Sequence, residues 1–326
     1  MKNMYVLATL ALLFFTGCSD DDYSGKDLAG TLAQIQGTIN EVATRAAETS
    51  WTDGDCIGIT VVSGSETNIK YKQSGTNGTF AAVNGEGEDN AIYLKGSTGV
   101  TLNAYYPYTG ENGTAPGVLV VNTGAEKQTT ANQPTIDYLF ATGEGSRETP
   151  LVNFVFNHKM SKLVFVFIAD GTTLSGIQYT LNGLTLDGTF DTATGQALTG
   201  PSTSDLTMNV ALPGSGSMVS SLILLPQDVA EVKMELQMGG KLYASSIDDL
   251  FMSPGYEYTY NVTISSSAGS EIPKLTITQS TITPWTKDGE KNITATPVQP
   301  GTDVSSPDPS EWGDSGKGGN ITSDNV

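Results

Sequence analysis

Residues 256–264 read Tyr256-Glu257-Tyr258-Thr259-Tyr260-Asn261-Val262-Thr263-Ile264. A large apolar or aromatic side chain falls at every second position, with Glu, Thr or Asn between. Side chains of an extended chain point alternately to opposite faces, so this stretch predicts a strand with one face in a core and one in water. A helix would scatter the five bulky residues around its axis. Working outward, the same period recurs. Val100, Leu102, Ala104 and Tyr106 alternate with Thr101, Asn103 and Tyr105; Ala230, Val232, Met234, Leu236 and Met238 alternate with Glu231, Lys233, Glu235 and Gln237. Two runs are apolar throughout, residues 163–168 (LVFVFI) and 222–225 (LILL), and predict central strands covered on both faces. Turn clusters such as Ser74-Gly75-Thr76-Asn77-Gly78 and Asn84-Gly85-Glu86-Gly87 separate the strands. No amphipathic helix longer than three turns is visible. The chain is therefore predicted to be all-β and built from β-sandwiches.

The first residues are of another kind. Lys2 precedes an uncharged apolar run over residues 4–15, too short to span a bilayer as a helix. A basic start, a short apolar core and small residues after it form an export signal. The junction Phe15-Thr16-Gly17-Cys18-Ser19 has the form of a lipobox. Residues 1–17 are thus predicted to be a cleaved lipoprotein signal peptide and Cys18 the acylated residue. Ser19-Asp20-Asp21-Asp22 follows, resembling the surface-export signal of outer-membrane lipoproteins in some Gram-negative anaerobes; the same residues also serve as a solvated tether.

Removing residues 1–17 leaves 309 of 326 residues, more than one ordinary core accommodates and suited to two domains. Lys2 is the one charge lost, so the net charge moves from −19 to −20. Such a surface stays soluble and repels nucleic acid and anionic membranes. With Cys18 acylated, Cys56 has no partner for an intrachain disulfide and is expected to pack as a small buried side chain.

Catalytic and metal motifs are scarce. His158, the one histidine, stands between two strands with no Cys or His cluster beside it, and reads as structural. Gly313-Asp314-Ser315-Gly316 matches the surroundings of a serine nucleophile, but in a Gly/Ser/Pro-rich segment that positions no base. The loop Glu86-Gly87-Glu88-Asp89 lacks the alternating oxygen ligands of a calcium loop. Of Tyr105, Tyr106 and Tyr108, alternation puts Tyr106 in the core and leaves only Tyr105 and Tyr108 able to be exposed to a ligand such as a glycan, while core packing and turn anchoring explain the cluster without one. No cofactor or metal is implied, and the chain reads as a non-enzyme.

Along the chain, residues 18–45 comprise the acidic tether and a short strand over 33–42 with Ile35, Gly37 and Ile39 on one face. Residues 46–157 and 158–296 are the two predicted domains. Residues 297–326 are rich in Pro, Gly, Ser and Asp and cannot bury a core, so they read as a flexible tail. One echo spans the last stretch: Trp285 and Trp312 each precede a Gly-bearing turn and an Asn-Ile-Thr.

Several phrases occur in a set order. They are the lipobox; an Arg ahead of Trp51-x-x-Gly54-Asp55-x-Ile57-Gly58-Ile59; Tyr105-Tyr106-Pro107-Tyr108; and residues 137–143 (DYLFATG). Then come Phe154-x-Phe156-x-His158-x-Met160-Ser161-Lys162-Leu163, Leu224-Leu225-Pro226-Gln227, Pro254-Gly255-Tyr256 and Ile282-Thr283-Pro284-Trp285. Together, over about residues 1–290, the set resembles the fimbrillin family, subunits of type V pili. The resemblance implies two transthyretin-like β-sandwiches in tandem and export as an outer-membrane lipoprotein displayed at the surface. It further implies removal of an N-terminal strand by an Arg-specific protease and filling of the vacated groove by a strand from a neighbouring subunit. Arg45, one of two arginines, matches the cleavage position, which makes Ala46 the new first residue; the partners implied are other pilus subunits and a host or bacterial surface ligand. The alternative reading is a surface lipoprotein that binds a glycan or another ligand without polymerising. Cys18→Ala should abolish incorporation of labelled fatty acid and surface display while leaving the circular dichroism of the purified chain unchanged; label retained by the variant would refute the lipobox reading.

Overall fold

The computed structural model describes residues 30–40, 50–75, 78–85, 89–213, 217–265 and 274–284. The described chain is almost wholly strands: β1 (Thr31–Leu32), β2 (Gln34–Ile39), β3 (Cys56–Val61), β4 (Ile69–Gln73), β5 (Thr79–Ala82), β6 (Tyr93–Leu94), β7 (Val100–Tyr106), β8 (Val118–Asn122), β9 (Leu139–Gly145) and β10 (Leu151–His158), then β11 (Ser161–Asp170), β12 (Ile177–Leu184), β13 (Asp187–Asp191), β14 (Ala197–Thr199), β15 (Ser204–Val210), β16 (Met218–Leu224), β17 (Gln227–Met238), β18 (Lys241–Met252), β19 (Tyr256–Ser265) and β20 (Lys274–Pro284). The three alternating stretches that decide the fold class lie in β7, β17 and β19, and the all-β reading is that of the structure.

The chain divides into two compact units that are not consecutive blocks. Among the described residues, those of 160–187 and 199–284 make the second unit together with 123–129; those of 30–122 and 130–159 make the first, with 188–198. The segment 188–198 lies with the first unit because most of β13 and β14 joins β8 in a three-stranded sheet ordered β14-β13-β8.

In the first unit, seven strands run β10-β2-β5-β4-β3-β7-β9, and β9 pairs back onto β10, so the sheet closes and has no free edge. Its core comes from inward residues of every strand, among them Ile35, Ile57, Ile59, Tyr71, Phe80, Leu102, Val152, Phe154 and Phe156. In the second unit two four-stranded sheets, β16-β11-β19-β20 and β15-β12-β17-β18, share one core. Phe165 meets Tyr179 edge-on at 5.6 Å between the sheets, and the Tyr179 hydroxyl lies 2.7 Å from Ser220 Oγ. The hairpin from β17 to β18 turns on Gly239 and Gly240, both at positive φ, as a two-residue turn closing the pair Met238–Lys241 requires.

The two continuous apolar runs behave differently. Residues 163–168 lie in β11, an interior strand paired with β16 and β19. Residues 222–225 are buried on both faces, yet β16 is the outer strand of its sheet. Its edge is covered by a side chain. The Ile223 N–H donates to Gln128 Oε1 at 2.9 Å, and Gln128 Nε2 donates to the Ile223 carbonyl at 2.8 Å. The amide of Gln128 thus makes the two bonds a neighbouring strand would make. Gln128→Ala should leave both Ile223 backbone groups buried and unpaired, at about 1–3 kcal/mol each. We expect urea unfolding of this variant to show a loss of about 2–4 kcal/mol, and a midpoint within error of wild type would refute the cap.

Candidate functional site

Strand β2 is the element that sets the first unit apart. It is an interior strand of the closed sheet, yet residues N-terminal to the Trp51 segment supply it. On one side it runs parallel to β10 over six paired positions, from Gln34–Leu151 to Ile39–Phe156. The Gln34 N–H donates to the Pro150 carbonyl at 2.9 Å and the Asn40 N–H to the Phe156 carbonyl at 2.8 Å. On the other side it runs antiparallel to β5 through Ile35–Phe80 and Gln36–Thr79. Two further bonds extend that side. The Ala33 N–H donates to the Ile92 carbonyl at 2.9 Å, and the Gly37 N–H to the Gly78 carbonyl at 2.8 Å. Just before it, β1 pairs with β6.

The period of two sends Ala33, Ile35, Gly37 and Ile39 inward, the face predicted for Ile35, Gly37 and Ile39. Ala33, Ile35 and Gly37 are buried and Ile39 is half-buried. Around Gly37 the groove is aromatic. Trp51 packs edge-on against Phe80 at 5.0 Å, Phe156 at 5.1 Å and Tyr106 at 5.5 Å. Its Nε1–H donates to the Gly37 carbonyl at 2.8 Å. The Tyr106 hydroxyl reaches Asp55 Oδ1 at 3.2 Å, and burial, reinforced by the Asp55 charge, pushes this phenol well above its ordinary pKa. At the Ala33 end, the Ile92 N–H donates to the Tyr71 hydroxyl at 2.9 Å; burial raises the Tyr71 pKa to about 12.

Cys18, Arg45 and Ala46 lie outside the described residues, as do Val42, Ser315 and residues 86–88 of the acidic loop. Asp89, from that loop, accepts the Tyr93 hydroxyl at 2.6 Å, which holds its carboxyl below the usual range. His158 ends β10, buried, with Nδ1 2.8 Å from Asp137 Oδ1, and no group of metal-ligating side chains occurs among the described residues. Two expectations are corrected. Cys56 opens β3 but is half-buried rather than enclosed, because the first position of a strand has neighbours on few sides. Tyr105 is buried and presents nothing to a ligand. The turn after Pro107 folds over it, so its hydroxyl lies 2.7 Å from Asn68 Oδ1 and 2.9 Å from the Thr109 carbonyl. Trp51 escaped the reading of β2: it lies in the loop before β3, and no spacing in the sequence points it at Gly37.

The family model of fimbrillin-like proteins matches residues 44–285. The chain belongs to the fimbrillin-like family. The chain is also similar to the "Putative fimbrium subunit Fim1C" of Bacteroides uniformis, 28% identical over 291 residues that cover 83% of this chain and 93% of the relative. Among solved structures, a "putative cell adhesion protein" from Bacteroides ovatus is 38% identical with a TM-score of 0.72, covering 80% of this chain and 100% of that one. A second protein so described, from Bacteroides uniformis, is 26% identical with a TM-score of 0.60, covering 78% and 99%.

Trp51→Phe keeps an aromatic ring against Phe80 and Phe156 but removes the donor to the Gly37 carbonyl. We expect the uncut chain to lose about 1–2 kcal/mol in urea unfolding, more than the worth of an average hydrogen bond because a partly buried acceptor is left open. A change below about 0.3 kcal/mol would show that the bond does not hold β2.

Proposed function

We propose that this chain is a surface-displayed, lipid-anchored subunit of a fimbria whose first unit is self-capped by β2 until the chain is cut after Arg45. The observation that carries the reading is the position of β2: an interior strand, bonded on both sides, supplied by residues that precede Arg45 in sequence. Taking it out would leave the backbone groups of β10 and β5 unpaired and expose the slot that holds Ile35, whose burial is worth about 1.5–3 kcal/mol. An extended strand from another subunit would satisfy both at once, its main chain supplying affinity and its alternate side chains supplying fit. The family match, which begins at residue 44 and so leaves out β2, agrees with a body that functions without its own strand. Acylation at Cys18 would hold the uncut chain at the outer membrane, with cutting before Ala46 releasing it into the fibre. Ligand recognition at a host or bacterial surface would then be a property of the assembled fibre.

The test is made in cells that produce the protein. Unboiled extracts should show wild-type chain in high-mass species, beginning at Ala46 by mass spectrometry. Arg45→Ala should leave it at monomer size with its N-terminus at an acylated Cys18. High-mass species that persist in Arg45→Ala, or their absence from wild-type cells, would refute the reading.

A further inference from the structure

The groove that holds β2 is not equally deep along its length. At Ile35 it takes a full aliphatic side chain, which is 2% exposed. At Gly37 it takes none. A Cβ built there would lie 3.0 Å from Cε2 of Phe80 and 3.0 Å from Cε2 of Phe156, both rings buried and braced by Trp51. The backbone is equally close. Gly78 is at positive φ, and a Cβ on it would run into the Gly37 carbonyl, so the two main chains meet through glycines on both sides. The Gly37 carbonyl is also fixed by the Trp51 Nε1–H. At this one register, ring, indole and backbone together leave room for a glycine.

We infer that this groove selects its occupant by a glycine: it accepts from a partner an extended strand reading aliphatic-x-Gly-x-aliphatic, the pattern of Ile35-Gln36-Gly37-Thr38-Ile39, and residues 274–326 of a second copy do not supply it. The inference rests on the reading that β2 is replaceable. The second half follows from the sequence. Strand β20 contains no glycine. Glycines 289, 301, 313, 316, 318 and 319 follow it, and none has an aliphatic residue two places away on both sides; Gly319 comes nearest, with Lys317 and Ile321. A strand with Gln279 at the glycine register would drive a long polar side chain between Phe80 and Phe156. Partner choice is then made by exclusion at one position, with the aliphatic neighbours supplying the attraction.

The full-length chain carrying Arg147→Lys, which makes Arg45 its sole arginine, is cut with an Arg-specific protease and offered fluorescent peptides. The peptide of residues 30–42 should enter, changing Trp51 emission. Its Gly37→Val form should bind at least about 100-fold more weakly, and the peptide of residues 274–284 no better than that. Phe80→Leu in the cut chain should restore binding of the Gly37→Ala peptide, an effect that a change in the peptide's own strand propensity would not produce. The inference is overturned if the Gly37→Val peptide or the 274–284 peptide binds within tenfold of wild type, or if Phe80→Leu rescues nothing. If no peptide enters, wild type included, it is the replaceable strand that fails. The uncut chain then judges the glycine alone: Gly37→Ala should lower Tm and Phe80→Leu should offset part of that fall, and an unchanged Tm would overturn the selection.

Discussion

The first unit depends on one constraint, that a closed sheet leaves no backbone edge unpaired. Seven strands meet this together, and β2, like each of the others, stands between two neighbours, β10 and β5, that do not pair with each other. A strand in that position cannot be lost locally, because its departure opens hydrogen bonds on both flanks and unroofs Ile35. The aromatic cluster of Trp51, Phe80, Tyr106 and Phe156 sits where β2 is thinnest and fills from the receptor side the volume that Gly37 does not. The strand and its groove are shaped against each other, residue by residue.

The second unit handles its edges by other means. Strand β16, although buried on both faces at residues 222–224, has no strand on its outer side among the described residues, and Gln128 takes the place of one at Ile223. One amide side chain satisfies both the donor and the acceptor of Ile223, and its Nε2 also donates to the Thr123 carbonyl at 2.8 Å. The contrast with β2 is informative. A side chain covers an edge with few ordered atoms, whereas on the proposed reading a whole strand covers one in a form that can be exchanged.

The alternating strands β7, β17 and β19 were legible in the sequence because a period of two is a local property, carried by the residues themselves. So was the inward face of β2, from Ile35, Gly37 and Ile39. The rest depended on partners far along the chain. Nothing local says that β2 lies parallel to β10, more than a hundred residues later, or that 188–198 leaves its sequence neighbours for β8. The exposure of Tyr105 was misread for a related reason: alternation tells which face a side chain takes, not whether a later turn covers that face. Gln128 and Trp51 left no periodic trace, since each acts through a single side chain reaching a distant backbone group. The proposed processing residues were legible as motifs, Cys18 behind an apolar run and Arg45 behind a short strand, and they remain proposals.

On the proposed reading, the covalent link through residues 41–49 decides when the groove becomes available. While it is intact, β2 competes from the same molecule at an effective concentration in the millimolar range, and an incoming strand present at micromolar levels is outnumbered about a thousandfold. Cutting abolishes that advantage without breaking a single hydrogen bond of the sheet. What then governs exchange is the fit of the occupant, and here the glycine matters a second time. A groove that welcomed any extended apolar segment would be a template for aggregation as soon as it opened. Placing Phe80 and Phe156 against the strand at Gly37 forgoes the roughly 1.5–3 kcal/mol that an apolar side chain would contribute at that register. Affinity is thereby lowered for every strand, but far more for those with a side chain there, and an opened subunit can wait for a matching partner without adhering to the first strand it meets.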